Sequence, residues 1–188
     1  MIYESKYWKD DLLRSAKALE AKIVQKRRNE ASSAKLEKIL LYGFYAIRKL
    51  IEAKKLSIVV AETTLPTMAY KWNGKSVTLL NWLKIDELYD LDSENVITKP
   101  LLFYCHQFVH SYILLECFNE DNTLEGIFFT SEKDRHKSLY YLSINQIIDL
   151  FVLIGNNYPS NYSLIFNKNK SDYEIKDINY GSKDGATK

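Results

Sequence analysis

The spacing of apolar residues in the first 56 positions is helical. Two series recur at steps of three or four residues, and each series is flanked by charged side chains. Such spacing places a series along one face of an α-helix. The first series is Trp8, Leu12, Ala16, Leu19 and Ile23, and the second is Leu36, Leu40, Phe44, Ile47 and Ile51. The pattern therefore predicts two helices, or one long one, before residue 57.

A break between the two series is indicated by Asn29, Ser32 and Ser33, which are residue types that begin helices. We therefore predict a helical hairpin, although one continuous helix also fits the pattern. The two series, together with three apolar residues outside them, exceed what one helix pair can bury against itself. The three outside residues are Leu13, Val24 and Leu41. They predict contacts with a protein partner or with a second copy of the chain.

After residue 56 the pattern becomes typical of strands. Residues 67–72 and 75–80 flank Asn73-Gly74, the dipeptide of a two-residue β-hairpin turn. A second hairpin is predicted between residues 112–118 and 124–130, with the polar residues 119–123 as its loop. Residues 162–166 form a last candidate strand. The sequence thus predicts a mostly antiparallel sheet.

The best-delimited element is a helix over residues 144–154. Ser143 and Gln146 form a capping box before it, Leu142 and Ile147 form an apolar staple, and Gly155 follows the apolar run at the C′ position. Residues 179–188 are rich in polar residues and glycine and are interpreted as a flexible tail.

These elements together predict an α+β fold. A basic helical hairpin over residues 1–56 packs on, or projects from, a second unit over residues 57–178 that holds the antiparallel sheet and one or two further helices. A chain of 188 residues is long enough for one compact domain with such an appendage.

Charge is distributed unevenly between these two parts. The first 56 residues hold fourteen Lys and Arg against seven Asp and Glu, a net charge of +7. The remaining 132 residues hold twelve against seventeen, a net charge of −5. A basic segment on a nearly neutral chain indicates an anionic partner. The sequence offers nucleic acid as one such partner, bound through Arg14, Lys17, Lys26, Arg27 and Arg28.

The histidines are the best candidates for metal ligands. His106 and His110 stand four residues apart, so a helix would place both on one face, where they could share an ion. A third ligand is undefined, with His136 the nearest candidate, and residues 101, 105, 108 and 112 form an apolar stripe on the same helix. Histidines beside a core helix are the favoured interpretation. We therefore expect no cofactor or metal, and a metal-dependent hydrolase is only a distant alternative.

An acidic segment lies between residues 86 and 94, with five carboxylates in nine positions. It does not match a calcium loop, since Asn95 stands where glycine is required and Leu101 where the bidentate glutamate is required. The segment is interpreted as a solvated turn, or alternatively as a surface that docks on the basic hairpin within or between chains.

Enzyme signatures are lacking in this sequence. It contains no Gly-x-Ser-x-Gly, Gly-x-Gly-x-x-Gly or His-Glu-x-x-His motif. Its two cysteines are too few for a secreted disulfide framework, and charges near the N-terminus replace the apolar stretch of a signal peptide. We therefore expect a cytoplasmic accessory or assembly protein, and not an enzyme, that acts through protein contacts of its N-terminal helices or its sheet edge. Nucleic-acid binding is the alternative function, and no membrane partner is expected.

Overall fold

A computed structural model describes residues 2–27, 29–159 and 161–179. Its helices are α1 Ser5–Ile23, α2 Glu30–Glu52, α3 Ile58–Ala61, α4 Ile85–Leu88, α5 Leu101–Val109 and α6 Ile144–Gly155. Its strands are β1 Thr64–Lys71, β2 Asn95–Pro100, β3 Ser111–Phe118, β4 Leu124–Ser131, β5 Ser138–Ser143, β6 Asn161–Asn167 and β7 Asp172–Asn179.

The predicted helical hairpin is confirmed, and its two helices are separate. Asn29 has extended backbone geometry, and its side-chain oxygen accepts a hydrogen bond from the Ser32 amide at 2.9 Å. This bond satisfies an amide that the first turn of α2 leaves without a helical acceptor. The asparagine therefore begins α2, whereas α1 has already ended, with Val24 as its C-cap.

The predicted α+β fold with an antiparallel sheet is also confirmed. β2, β1, β5, β4 and β3 form a five-stranded sheet in that order, and each neighbouring pair is antiparallel. The hairpin predicted over residues 112–130 corresponds to β3 and β4. The last predicted strand corresponds to β6, which pairs with β7 in a separate two-stranded sheet.

The hairpin predicted around Asn73-Gly74 is wrong. Gly74 does adopt a positive φ of 97°, as a turn requires, but residues 75–80 do not return as a strand. β1 already has β2 on one side and β5 on the other, so neither of its edges is open to a returning strand. Distant strands have taken the pairing positions that a local hairpin would need.

The sheet is covered on both faces because successive apolar side chains of its strands point to opposite faces. In β5, Tyr140 and Leu142 face a core shared with α1, α2, α5 and α6, whereas Leu139 and Tyr141 face the opposite side. We call these the helix-side core and the segment-side core. The segment-side core is covered by residues 72–91, which include α4 and bury Val77, Leu88 and Tyr89.

The predicted helix over residues 144–154 is confirmed, with one correction at its end. The capping box of Ser143 and Gln146 is present in full. Gly155, however, is the last helical residue and Asn156 is the C-cap, so Gly155 does not occupy C′. A Cβ on Gly155 would lie 2.6 Å from the Leu13 side chain. Glycine at this position therefore lets α1 approach α6 closely.

The helix that carries the histidine pair is shorter than predicted. α5 ends at Val109 with His110 as its C-cap, and Tyr112 belongs to β3 instead of the helical stripe. Leu101, Cys105 and Phe108 are buried in the helix-side core. Within the described ranges, no helix combines the length and apolarity needed to cross a membrane.

Candidate functional site: a groove between the two N-terminal helices

The N-terminal helices enclose an open groove on their outer side. α1 packs mainly on α6, and α2 packs on α5, so each buries its apolar stripe against a different helix. The outer edges of α1 and α2 are left apart. The groove between them has a volume of about 550 Å³ and runs along residues 8–18 of α1 and 35–46 of α2. Ten residues of helix correspond to a length of about 15 Å.

The floor and walls of this groove are apolar and aromatic. Trp8 and Tyr45 face each other from the two helices with ring centroids 6.4 Å apart, and Leu12 and Ile39 lie between the helices. Tyr42 lines the same groove with 70% of its surface exposed. Large aromatic side chains with exposed polar ends are typical of protein interfaces.

The rim of the groove is basic. Arg14, Lys35 and Lys38 contribute three positive charges, whereas Asp11 contributes the one carboxylate of the lining. That carboxylate is already bonded to Arg14 on the next turn of α1. Lys35 and Lys38 form no ion pair with any residue that the structure describes. The groove therefore combines apolar contact area with uncompensated positive charge.

The residues predicted to bind nucleic acid are spread along α1 and the connection that follows it. Arg14, Lys17, Lys26 and Arg27 are exposed, and Arg28 lies outside the described residues. Arg14 stands nine residues before the end of α1, which is about 14 Å along the helix from the connection that holds Lys26. Only Arg14 of these residues lines the groove.

The three residues predicted to contact a partner have different environments. Leu13 is half-buried beside Gly155, so the chain itself covers part of it. Leu41 is also half-buried, and Val24 is 73% exposed at the C-cap of α1. The exposed tyrosines of the groove, Tyr42 and Tyr45 on α2, were not among the predicted contact residues. Their three-residue step outside the apolar stripe was the signal in the sequence.

The histidines do not assemble a metal site with other ligands. His106 and His110 are exposed beside a different cleft, at the C-terminal end of α5. Among the described residues, no group of three or more His, Cys, Asp or Glu side chains is placed to hold an ion. His136 instead accepts a hydrogen bond from the Val77 amide at 3.0 Å and packs edge-on against Trp72.

Cys105 is not a reactive cysteine. Its side chain is buried in the helix-side core, and burial raises the pKa of its thiol to about 12. A thiol with such a pKa remains protonated near neutral pH, whereas the thiolate is the nucleophilic form. The residue therefore acts as a small apolar side chain.

A buried lysine joins the ends of three elements. The Lys9 ammonium donates hydrogen bonds to the carbonyl oxygens of Lys55 at 2.9 Å and Asn157 at 2.5 Å, and lies 4.3 Å from the ring centre of Tyr158. Burial lowers the pKa of Lys9 to about 8, with a smaller contribution from the positive charge of Lys55 and an opposing one from Glu4. With 1% of its surface exposed, Lys9 serves as a joint and not as an accessible nucleophile.

Asn157 extends this joint. Its side-chain oxygen accepts from the Ser57 amide at 2.8 Å, and its side-chain nitrogen donates to the Ser57 hydroxyl at 3.0 Å. Ser57 is also buried and caps α3. Lys9, Ser57 and Asn157 thus tie the start of α1 to the segments that follow α2 and α6. The joint holds one wall of the groove in place.

The acidic segment does not dock on the basic helices of its own chain. Leu88 and Tyr89 bury it in the segment-side core, across the sheet from α1 and α2. Glu87 pairs instead with Lys75 and with Lys84, the latter at 3.0 Å. These pairs hold the pKa of the Glu87 carboxyl below its usual value, mainly through the hydrogen bond from Lys75.

Comparisons of the chain with protein-family models, with curated proteins and with solved structures found no match.

Proposed function

We propose that this protein is a non-enzymatic accessory or assembly protein that binds a protein partner in the groove between α1 and α2. The observation that supports it is an aromatic groove about 15 Å long with exposed Tyr42 and a basic rim on which Lys35 and Lys38 form no described ion pair. Apolar grooves between helices accept amphipathic helices, whose residues at steps of three and four enter the groove.

Charge defines the chemistry of the proposed partner. Lys35 and Lys38 form no described ion pair, and Asp11 is bonded to Arg14. A helix with apolar residues on one face and carboxylates beside them would place its negative charges near these lysines. Complementary charge of this kind speeds association more than it strengthens the complex. We therefore propose an acidic amphipathic helix as the ligand, supplied by another protein or by a second copy of this chain.

Site-specific photocrosslinking tests this proposal. A photoreactive phenylalanine at position 42, in the full chain expressed in its own cells, is expected to give an adduct with an acidic helical segment. The same amino acid at Tyr173 on β7, which is 61% exposed, is the matched control. A synthetic peptide of the captured segment should then bind the purified protein. Replacing a central aromatic contact costs about 2 kcal/mol, so Tyr42→Glu is expected to weaken binding about 30-fold, whereas Tyr173→Glu is not.

Self-association has a separate readout. If the groove binds a second copy of the chain, light scattering after size exclusion will show a dimer that Tyr42→Glu dissociates. Equal adduct yields from positions 42 and 173, together with a monomer at every concentration, would contradict binding in this groove.

Nucleic-acid binding is the second candidate function. It is favoured by the exposure of Arg14, Lys17, Lys26 and Arg27 at one end of the molecule. If these four residues and Arg28 each contact a phosphate, binding to duplex DNA should weaken with a log–log salt slope of about −4.5. Fluorescence anisotropy with DNA and RNA at low salt measures this slope. No binding at micromolar protein, or binding unchanged by replacing Lys26, Arg27 and Arg28 with alanine, would remove this candidate.

A further inference from the structure

A second cleft lies on a different part of the surface from the groove. It has a volume of about 740 Å³ and is formed by the C-terminal half of α2, by α5 and by the turn between β4 and β5. Its charged and aromatic lining includes Arg48, Phe103, His106, His110, Lys133 and Lys137. Its volume is in the range of small-molecule sites, which is about 300–1,000 Å³.

One wall of this cleft is held rigidly by a buried side chain. Gln107 is 3% exposed, and its side-chain oxygen accepts a hydrogen bond from the Ser131 amide at 2.8 Å. Its side-chain nitrogen donates to the Asp134 carboxylate at 2.6 Å. Both ends of the amide are therefore used to fix the turn between β4 and β5 against α5. The cationic side chains of this turn are presented from a constrained backbone.

One of the two carboxylates that line the cleft is engaged by neighbouring side chains. Asp134 accepts a hydrogen bond from Gln107 and forms an ion pair with Lys137 at 2.7 Å. Glu52, next to the cleft, pairs with the Nε of Arg48 at 2.8 Å and with Lys49 at 2.6 Å. Glu132 is the remaining carboxylate of the lining. Asp134 and Glu52 thus orient Lys137 and Arg48, and other nitrogen donors of the cleft remain free.

Several donors in the cleft have no acceptor within the part of the chain that the structure describes. These are the Lys133 ammonium, the terminal nitrogens of Arg48 and the imidazole nitrogens of His106 and His110. Burial and the nearby positive charges of Arg48, His110 and Lys133 lower the pKa of His106, against the opposing charge of Glu52. Positive groups that repel one another in this way are stabilised when an anion lies between them.

We propose that this cleft binds the dianionic phosphate group of a small phosphate ester. A guanidinium, an ammonium and two imidazoles supply several donors to one tetrahedral anion, which has more acceptor positions than a carboxylate. Phe103, which stands edge-on to Tyr140 with centroids 5.1 Å apart, supplies an apolar wall for the organic part of the ester. The site is independent of the partner groove, because the two share no lining residue.

Histidine makes this binding dependent on pH. Protonated imidazoles attract an anion more strongly than neutral ones, so the affinity for an anion of fixed charge is expected to rise as pH falls and His106 becomes charged. Bound anion must in turn raise the pKa of His106, since binding and protonation are linked. The other charged groups facing the histidines are Arg48 and Glu52 from α2 and Glu132, Lys133, Asp134 and Lys137 from the turn.

Nuclear magnetic resonance titration of the full chain tests the proposal. Phenyl phosphate serves as the ester, and sulfate serves as an anion whose charge does not change between pH 5.5 and 7.5. Both are expected to shift the imidazole signals of His106 and His110, and phenyl phosphate to raise the pKa of His106. Sulfate should bind about tenfold more tightly at pH 5.5 than at pH 7.5. A double variant with His106→Gln and His110→Gln should lose that pH dependence.

Lysine variants distinguish specific binding in the cleft from nonspecific attraction of the anion to the protein's positive charges. Lys133→Ala is expected to weaken phenyl phosphate binding about tenfold, because a charge-assisted hydrogen bond is lost. Lys71→Ala, at an exposed lysine of β1, is the matched control and should leave binding unchanged. The proposal is overturned if about 10 mM phenyl phosphate leaves both imidazole signals unmoved. It is overturned equally if Lys71→Ala weakens binding as much as Lys133→Ala.

Discussion

The two faces of the central sheet are covered in different ways. On one face, four helices bury regular apolar stripes, and aromatic rings such as Phe44 and Phe108 stack with centroids 3.8 Å apart. On the other face, residues 72–91 lie over the strands with only the single turn of α4 as regular structure. Both coverings exclude water from large side chains. The comparison shows that an apolar sheet face can be covered without a second regular layer.

The irregular covering needs side chains to satisfy its backbone. Asn81 accepts from the Thr78 amide at 2.7 Å and donates to the Ser76 carbonyl at 2.9 Å. Trp72 donates to the Lys75 carbonyl at 2.7 Å. A helix makes such bonds along its own backbone, whereas an irregular segment makes them with side chains or with water. The segment-side covering thus depends on individual residues, and the helix-side covering depends on packing.

The largest expected effect is a cavity in the helix-side core. Phe44 is fully buried between Phe108 and the edge of Phe151. Phe44→Ala removes these contacts and should lower the free energy of unfolding by about 3–5 kcal/mol. Urea denaturation followed by circular dichroism measures the loss. Tyr42→Ala, at an exposed position on the same helix, should change stability by no more than about 0.5 kcal/mol.

The next effect is the pH dependence of stability that the joint at Lys9 causes. Lys9 has a pKa of about 8 in the folded chain, against an ordinary value of 10.5. Between these values the unfolded chain holds a proton that the folded chain has lost, so this group adds stability as pH rises from about 8 towards 10.5. Raising the pH from 7.5 to 9.5 should therefore stabilise the wild type by about 2 kcal/mol relative to Lys9→Met.

Urea denaturation of the wild type and of Lys9→Met, each at pH 7.5 and pH 9.5, measures this difference in stability. Groups other than Lys9 titrate in both proteins, so their contribution cancels when the two are compared. Lys6→Met, at an exposed lysine one turn away, is the control and should behave as the wild type. Equal pH dependence of the wild type and Lys9→Met would show that Lys9 titrates normally.

A smaller effect is expected on the segment side. The Tyr89 hydroxyl donates a hydrogen bond to the Arg135 carbonyl at 2.7 Å, and burial raises the pKa of this phenol, which keeps the donor protonated. Tyr89→Phe keeps the ring but leaves the carbonyl without this donor. The free energy of unfolding should fall by about 1–2 kcal/mol. Hydrogen exchange should show the loss first in residues 72–91, and uniform acceleration across the helices would contradict a separate segment-side covering.

The smallest effect is expected from the charged surface of the same segment. Glu87 pairs with Lys75 and Lys84, and all three side chains are well exposed. Exposed ion pairs of this kind add little to stability because water and salt screen them. Glu87→Gln should therefore leave the urea midpoint unchanged within error. A clear shift that persists in 0.5 M salt would show that charge, and not burial of Leu88 and Tyr89, holds the segment in place.

The elements that were predicted correctly are those whose structure is determined by nearby residues. The helix after Ser143 begins where predicted, and α2 begins after Asn29, the first of its three candidate caps. The hairpin of β3 and β4 connects strands that are neighbours in sequence. β2 and β5, however, occupy both edges of β1 from distant positions, and their pairing overrode the turn signal of Asn73-Gly74. Long-range pairing of this kind leaves little trace in a local pattern.

The candidate sites show the same limit. The basic character of α1 and α2 was evident from sequence, and Arg14 lines the groove as well as belonging to the predicted basic set. The aromatic wall formed by Trp8 and Tyr45 was not evident, because it depends on how far apart the two helices lie. The pair His106 and His110 was found by its spacing, but its neighbours Arg48 and Lys133 come from elements distant in sequence.

The joint at Lys9 also has a consequence for the order of events during synthesis. α1 is made before α6, yet the buried ammonium of its Lys9 binds Asn157, which is made 134 residues after the end of the helix. At about 5–20 residues per second, that interval lasts between about 7 and 27 seconds. During this time Leu12 and Leu19 have no α6 to cover them. α1 therefore reaches its final place only after α6 has been made, and its apolar stripe lacks that packing partner throughout the interval.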